Sequence, residues 1–277
     1  IYCSISGFGS TGPYKHRRGF DLVTQGMSGL MSITGLPDSE PLKISVPMTD
    51  LNAGMYGAYG VLCAYIDRLK SGKGQHVDAS MLEGGIAYTF WESAVFFNTG
   101  EVPKPVGSTH RLLAPYQPFK TKDGYINVAC ANQATWDRMC TTIGRMDLIE
   151  NPLFATNADR VKNVVNLVEI LDGVFSSNSS THWIEILEKA KVPCGPIFNI
   201  GEVYSDPQVI ARDMIVNIDH PTAGRIQNIG IPVKLSKTPG TIRNPSPTLG
   251  QHTDDILNQF GYTETEIKRL RKNDVVA

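Results

Sequence analysis

Apolar positions along the chain fall into short runs that suit strands and longer runs that suit helices, with glycine and proline between them. Ile1 to Ser6 reads as a strand entering a glycine-rich turn. A mildly apolar segment from Phe20 to Ile33 follows, then an extended stretch from Leu42 to Pro47 and a long helix from about Leu51 to Leu69. Ser71-Gly72-Lys73-Gly74 stops that helix, and Arg68 and Lys70 lie near its C-terminus, where cations suit the helix dipole. His76 to Ala79 reads as a second short strand and Leu82 to Phe97 as a second apolar helix. Strand, turn and helix in alternation predict an α/β layer.

From Gly100 to Pro118 the pattern gives way to proline, glycine and isolated charges, which predicts a crossing between domains. Phe119 to Ala131 then reads as a hairpin around Lys122-Asp123-Gly124, because Asp-Gly suits the positive φ of a tight turn. Amphipathic helices are predicted at about Ala134 to Ile143, Val161 to Phe175 and Thr181 to Ala190. Val192-Pro193-Cys194-Gly195-Pro196 breaks the run before Ile200 to Met214. Gly230 to Gly250 is proline-rich and reads as a second long connection. The tail turns helical again: Thr253 is placed to cap a helix ending at Gly261, and Thr263-Glu264-Thr265-Glu266 has capping-box form before Ile267 to Lys272.

Composition narrows the class of protein. The 277 residues carry 26 Lys+Arg against 27 Asp+Glu, a formal charge of −1, which leaves no electrostatic footprint for nucleic acid. At 41% hydrophobic and 19% charged residues the chain has too much apolar material for disorder. The longest tempting uncharged stretch, Leu51 to Ile66, is shorter than the roughly 18 to 20 residues a membrane span needs, so no membrane partner is expected. Five scattered cysteines without CxxC spacing predict neither a disulfide framework nor a zinc site, and a reducing, cytoplasmic compartment fits them. The opening Ile1-Tyr2-Cys3 has no initiator Met and no signal-peptide pattern, which leads us to expect a fragment.

Four local features bear on chemistry. Gly7-Phe8-Gly9-Ser10-Thr11-Gly12 is a literal GxGxxG after a strand, but Pro13 and the basic cluster Lys15-His16-Arg17-Arg18 stand where a close-packed helix should begin. A dinucleotide site is therefore not expected, although the glycines still let backbone approach a ligand closely. Asp50 lies in the first turn of a helix whose Gly54, Gly57 and Gly60 recur every three residues. It either caps that helix or serves as a nucleophilic carboxylate kept ionised by the helix N-terminus, and the local sequence leaves both open. His110 falls in the interdomain loop, either solvated or lining a cleft. The other histidines lack metal-ligand spacing, and Cys194 between two prolines reads as a buried thiol.

Taken in order, SISGFGSTGPY (4–14), RRGFDLVTQGMSGLM (17–31), VPMTDLNAGMYG (46–57), SGKGQHVDASMLEG (71–84), GSTHRLLAPYQPFKTKDG (107–124), VPCGPIFNIGEVYSDPQVIARDM (192–214) and PTLGQHTDDILNQFG (247–261) resemble the family III coenzyme A transferases. That group holds formyl-CoA transferase, the carnitine CoA-transferases and α-methylacyl-CoA racemase. The resemblance implies an α/β fold, with part of an open Rossmann-type domain joined by long linkers to a smaller α+β domain in an interlocked homodimer. On that pattern residues 1–99 form the C-terminal part of the large domain, 100–117 a linker, 118–215 the small domain, 216–250 a return linker and 251–277 helices packing back on the large domain. The family's opening hundred or more residues have no counterpart here.

The resemblance also implies roles. Asp50 falls on the family's catalytic aspartate, which exchanges CoA between an acyl-CoA and a small carboxylic acid through an aspartyl-CoA thioester. CoA is then a substrate, and no tightly bound cofactor or metal is expected. Ile5, Ser6, Gly7, Phe8 and Gly9 align with a stretch touching CoA, and Gly107 to His110 with a loop covering the acyl group. Ser108-Thr109-His110-Arg111 replaces the glycine run of formyl-CoA transferase, so an oxalate/formate pair is not expected. Two other readings of the sequence stand beside this one. The racemase branch needs two bases, one a histidine beside the aspartate equivalent to Asp21 and the other a glutamate; Phe20 and Asn132 stand at those positions. A non-catalytic CoA-binding remnant is the other, prompted by the absent opening part.

Overall fold

The structure, a computed structural model, describes residues 1–276. It divides into two compact units, one covering Ile1–Ile197 and the other running from Phe198 onward.

The first unit opens with β1 (Tyr2–Ser6), α1 (Asp21–Met27), α2 (Leu30–Ile33), the 24-residue α3 (Met48–Ser71), β2 (His76–Ser80), α4 (Met81–Ala87) and α5 (Phe90–Thr99). β1 and β2 pair in parallel, Tyr2 opposite His76 through Ser6 opposite Ser80, so the chain between them is a crossover and α3 its main element. Two of the three spaced glycines explain how closely α3 lies on these strands: a Cβ on Gly57 would sit 3.1 Å from Ile5 Cδ1, and one on Gly60 only 2.7 Å from Val77 Cγ1. Gly54 meets nothing. The opposite face of α3 leaves Leu51, Met55, Tyr59, Leu62 and Ile66 exposed. Gly72 ends the helix in the left-handed conformation, φ 72°, and donates to the Arg68 carbonyl.

One expectation is corrected in this part of the chain. The helix read from Leu82 to Phe97 is broken at Tyr88-Thr89 into α4 and α5. Its opening turns hold Gly84 and Gly85, weak helix formers that are buried against α3. The extended stretch from Leu42 to Pro47 has no strand partner; the Gln25 side chain holds it instead.

Residues 100–115 carry neither helix nor strand. Beyond them come β3 (Tyr116–Lys120), β4 (Tyr125–Ala129), α6 (Gln133–Thr142), α7 (Asp147–Glu150), α8 (Asn157–Lys162), α9 (Val164–Phe175), α10 (Ser180–Lys189) and β5 (Cys194–Pro196). The strands form an antiparallel sheet in the order β3-β4-β5. Phe119, Ile126, Trp136, Phe154, Leu167, Leu171, Phe175 and Leu187 from these elements make one closed core. The hairpin turn is fastened to the start of α10, where Asp123 Oδ1 accepts from the Ser180 amide at 2.8 Å and hydroxyl at 2.9 Å. Cys130 and Cys140 lie in this core, their thiols pushed up to about 12 by burial. Cys194 is half-buried, its thiol also raised by burial.

The second unit holds α11 (Ile200–Val203), α12 (Pro207–Ala211), an antiparallel hairpin of β6 (Ile215–His220) and β7 (Gly224–Ile229), α13 (Thr253–Gln259) and α14 (Glu264–Lys272). This hairpin falls where a return linker from residue 216 is expected, and its turn, Pro221-Thr222-Ala223, lacks an Asn-Gly or Asp-Gly pair. The His220 ring closes it instead, with Nδ1 accepting from the Thr222 and Ala223 amides. The capping box at Thr263 and Glu266 is present; Thr253 is the first residue of α13 and does not cap it.

Candidate functional site

Asp50 is the third residue of α3, behind an N-cap, Pro47, that offers no side chain to the helix. Its own carboxylate is exposed and has no hydrogen-bond partner among the described residues. The capping duty expected of it falls to Asp21 at the start of α1, whose Oδ1 accepts from the Thr49 amide at 3.0 Å and the Thr49 hydroxyl at 2.9 Å. Asp21 Oδ2 accepts from Gln25 Nε2 at 2.7 Å. Thr24 Oγ1 lies 2.7 Å from Thr49 Oγ1 and closes the cluster.

This arrangement reverses one expectation about Asp50. Partial desolvation first, and the like charge of Asp21 second, raise its carboxyl above the ordinary value, against the downward pull expected of a helix N-terminus. A more basic carboxylate is a better nucleophile wherever it is still ionised. The helix turn that carries it is packed from the far side by α4: a Cβ on Gly85 would lie 2.6 Å from Ser28 Oγ and 3.0 Å from Thr49 Cγ2. Asn52 donates from Nδ2 to the Gly84 carbonyl, fixing the two helices together.

The glycine loop after β1 is tied down from within. Gly9 donates to Ser6 Oγ at 2.9 Å and Ser10 donates its amide to Asp78 Oδ2 at 2.9 Å, which with the Ser10 hydroxyl holds the Asp78 carboxyl below its usual range. Gly9 needs its φ of 87°, and Gly7 lies against Gly19, where a Cβ would meet the backbone at 3.1 Å. No helix follows directly, and α1 begins only at Asp21. Ile5 is exposed, while Ser6, Gly7, Phe8 and Gly9 are half-buried. Phe8 stacks edge-on with Tyr14 under the Arg17 guanidinium.

His110 lines a cavity rather than facing solvent. Its ring lies 4.7 Å from Trp91 and 5.0 Å from Tyr116, and Nδ1 accepts from the Leu112 amide at 3.0 Å. Acceptance at Nδ1 leaves the proton of the neutral ring on Nε2, a buried donor with no partner among the described residues. The cavity, about 230 Å³, is also lined by Gly107, Trp91 and the Glu92–Arg111 ion pair at 3.2 Å. Gly107 is anchored by its amide to the Gly35 carbonyl. Ser108 between them lines a second hollow of about 620 Å³ on the β3-β4-β5 sheet. Neither Asp50 nor any of Ile5 to Gly9 lines either cavity. Among the described residues no group of three His, Cys, Asp or Glu is arranged for a metal, and no helix is long and apolar enough to cross a membrane.

The sequence profile of CoA-transferase family III matches residues 1–253. The chain belongs to CoA-transferase family III. It is 37% identical over 277 residues to succinyl-CoA:glutarate CoA-transferase of Homo sapiens, covering all of this chain and 63% of that protein. It is 35% identical over 260 residues to succinate–glutarate CoA-transferase of Agrobacterium fabrum, covering 94% of this chain and 65% of that one. The chain thus spans less than two thirds of the length of these relatives. A crystal structure of a CaiB/BaiF family protein from Brucella suis superposes with a TM-score of 0.79 at 34% identity, covering 94% of this chain and 67% of that one. The mixed α/β architecture is that of the family.

Asp21, Gln25 and Thr49 are hydrogen-bonded neighbours at the Asp50 turn that the motifs did not single out. Asp21 is noted in the sequence only as a register mark beside Phe20. The available signal was a pair of adjacent polar residues, Thr24 and Gln25, between the apolar Leu22-Val23 and Met27.

Proposed function

We propose that the protein moves coenzyme A from an acyl-CoA donor to a carboxylic acid acceptor, with Asp50 as nucleophile. The observation that carries this reading is the contrast between two acidic neighbours: Asp21 has both oxygens engaged by donors, whereas Asp50 is exposed and unengaged. An Asp50 carboxylate oxygen attacks the thioester carbonyl, the C–S bond breaks, and CoA leaves as thiolate while an Asp50–acyl anhydride forms. The thiolate then attacks the Asp50 side-chain carbonyl, the anhydride C–O bond breaks, and the donor acid departs as carboxylate. The resulting aspartyl-CoA thioester is consumed by the acceptor carboxylate through the same two steps in reverse. Covalent catalysis of this kind divides one hard exchange into easier ones.

Ile5, Ser6, Gly7, Phe8 and Gly9 are proposed to contact CoA, and Gly107 and His110 to cover the acyl group, with the buried His110 Nε2–H as a donor toward an oxygen. The names of the relatives point to dicarboxylic acids as the class exchanged. We place the reaction in an interlocked homodimer, without a tightly bound cofactor. Two observations favour transfer over racemisation: Phe20 is 80% exposed and supplies no base, and Asn132 spends its side chain capping α6 through the Thr135 amide at 2.9 Å. The test is a panel of acyl-CoA donors and carboxylate acceptors with the full-length protein and Asp50→Ala. Transfer is expected to vanish in the variant; retention of most of kcat overturns the assignment.

A further inference from the structure

The interior beneath the first turn of α3 is polar and is built around one carboxylate. Thr24, Gln25 and Thr49 are each fully buried. Gln25 spends both ends of its amide: Oε1 accepts the Ile44 amide at 2.8 Å, and Nε2 donates to Asp21 Oδ2 and to the carbonyls of Ile44 at 3.1 Å and Val46 at 3.3 Å. These partners fix which way the amide faces, since only Oε1 can meet an N–H and only Nε2 can meet carbonyls. Donors therefore reach Asp21 from two sides, the Gln25 amide on Oδ2 and the Thr49 amide on Oδ1. A carboxamide at position 21 would set its NH₂ against one of them whichever way it turned. Asp21 thus joins α1 to α3 one residue before Asp50, and through Gln25 it also fastens the 44–46 segment that leads into that turn.

We propose that Asp21 is a positioning residue for the transfer reaction: clamped by Gln25 and Thr49, it fixes the turn that presents Asp50 and places a negative charge beside it. The proposal rests on Asp50 being the nucleophile. Other charged groups on the lead-in segment and the elements packed against α1 are Lys43, Glu83 on α4, and Asp67, Arg68 and Lys70 toward the far end of α3. Lys43 donates to the Ser45 carbonyl and Glu83 accepts the Ser80 hydroxyl. Asp21 is the charged neighbour that raises the Asp50 carboxyl. Removing its charge must then let Asp50 ionise at lower pH.

The experiment measures kcat, KM and the acid limb of the pH–rate profile for full-length wild type, Asp21→Asn, Asp21→Glu and Gln25→Leu, with intact-protein mass spectrometry for a CoA adduct. For Asp21→Asn we expect kcat to fall about 10- to 100-fold with KM for acyl-CoA little changed, and the acid limb to move to lower pH. Asp21→Glu and Gln25→Leu keep the charge but shift or lose the clamp, so kcat should fall with the limb in place; they carry the test if Asp21→Asn does not fold. Wild-type kcat and acid limb in folded Asp21→Asn, or wild-type kcat in both other variants, overturns the positioning role while an adduct on wild-type Asp50 still stands. A wild-type enzyme that turns over with no adduct overturns the nucleophile and this proposal together.

Discussion

Asp21 caps the start of α3 and leaves Asp50 unengaged, and the function proposed above gives stability to the first and chemistry to the second. Asp50 holds no hydrogen bond, so Asp50→Ala should cost less than about 0.5 kcal/mol in denaturant unfolding. Asp21→Ala should cost about 1 to 3 kcal/mol, because it strands the Thr49 amide in a buried site and removes one of the acceptors of Gln25. Equal losses for the two would contradict the division. The motif singles out Asp50 in the sequence. Its local alternatives, cap or nucleophile, were not separable in sequence, because the group that relieves it of capping, Asp21, lies 28 residues upstream of Thr49 and comes near only once α1 packs on α3. The direction of its acidity was unreadable for the same reason: it depends first on the partial desolvation that the fold imposes and second on the charge of Asp21.

Periodicity located α3, β1, β2, the β3–β4 hairpin and α6 to within a few residues, since each is bounded by glycine, proline or a capping residue of its own. It ran α4 and α5 together because apolar content continues across Tyr88-Thr89, where α4 ends; within α4, buried Gly84 and Gly85 let that helix lie against α3. Gly85→Ala tests that contact. The added methyl would meet Ser28 at 2.6 to 2.7 Å, so it should destabilise by about 1 to 3 kcal/mol and lower kcat by shifting the Asp50 turn. Unchanged stability and rate would mean that α4 does not buttress the site. The β6–β7 hairpin escaped notice because a histidine ring, rather than a turn dipeptide, holds its bend.

The molecule as a whole was recognisable from seven ordered motifs, and the family is established over residues 1–253. What motif order does not give is how the stretches converge: Gly107 and His110 share a cavity, while Asp50 and the Ile5–Gly9 loop lie outside it. With Phe20 exposed and Asn132 occupied as a cap, a 2-methylacyl-CoA incubated with the full-length protein in D₂O should exchange no α-proton above background. Rapid deuterium uptake would favour racemisation. The most direct test of covalent transfer is intact-protein mass spectrometry of full-length enzyme after incubation with succinyl-CoA alone, followed by peptide mapping. We predict a CoA-sized mass increase that maps to Asp50, disappears on adding an acceptor carboxylate and is absent from Asp50→Ala; turnover without any such adduct, or an adduct on another residue, would contradict the account.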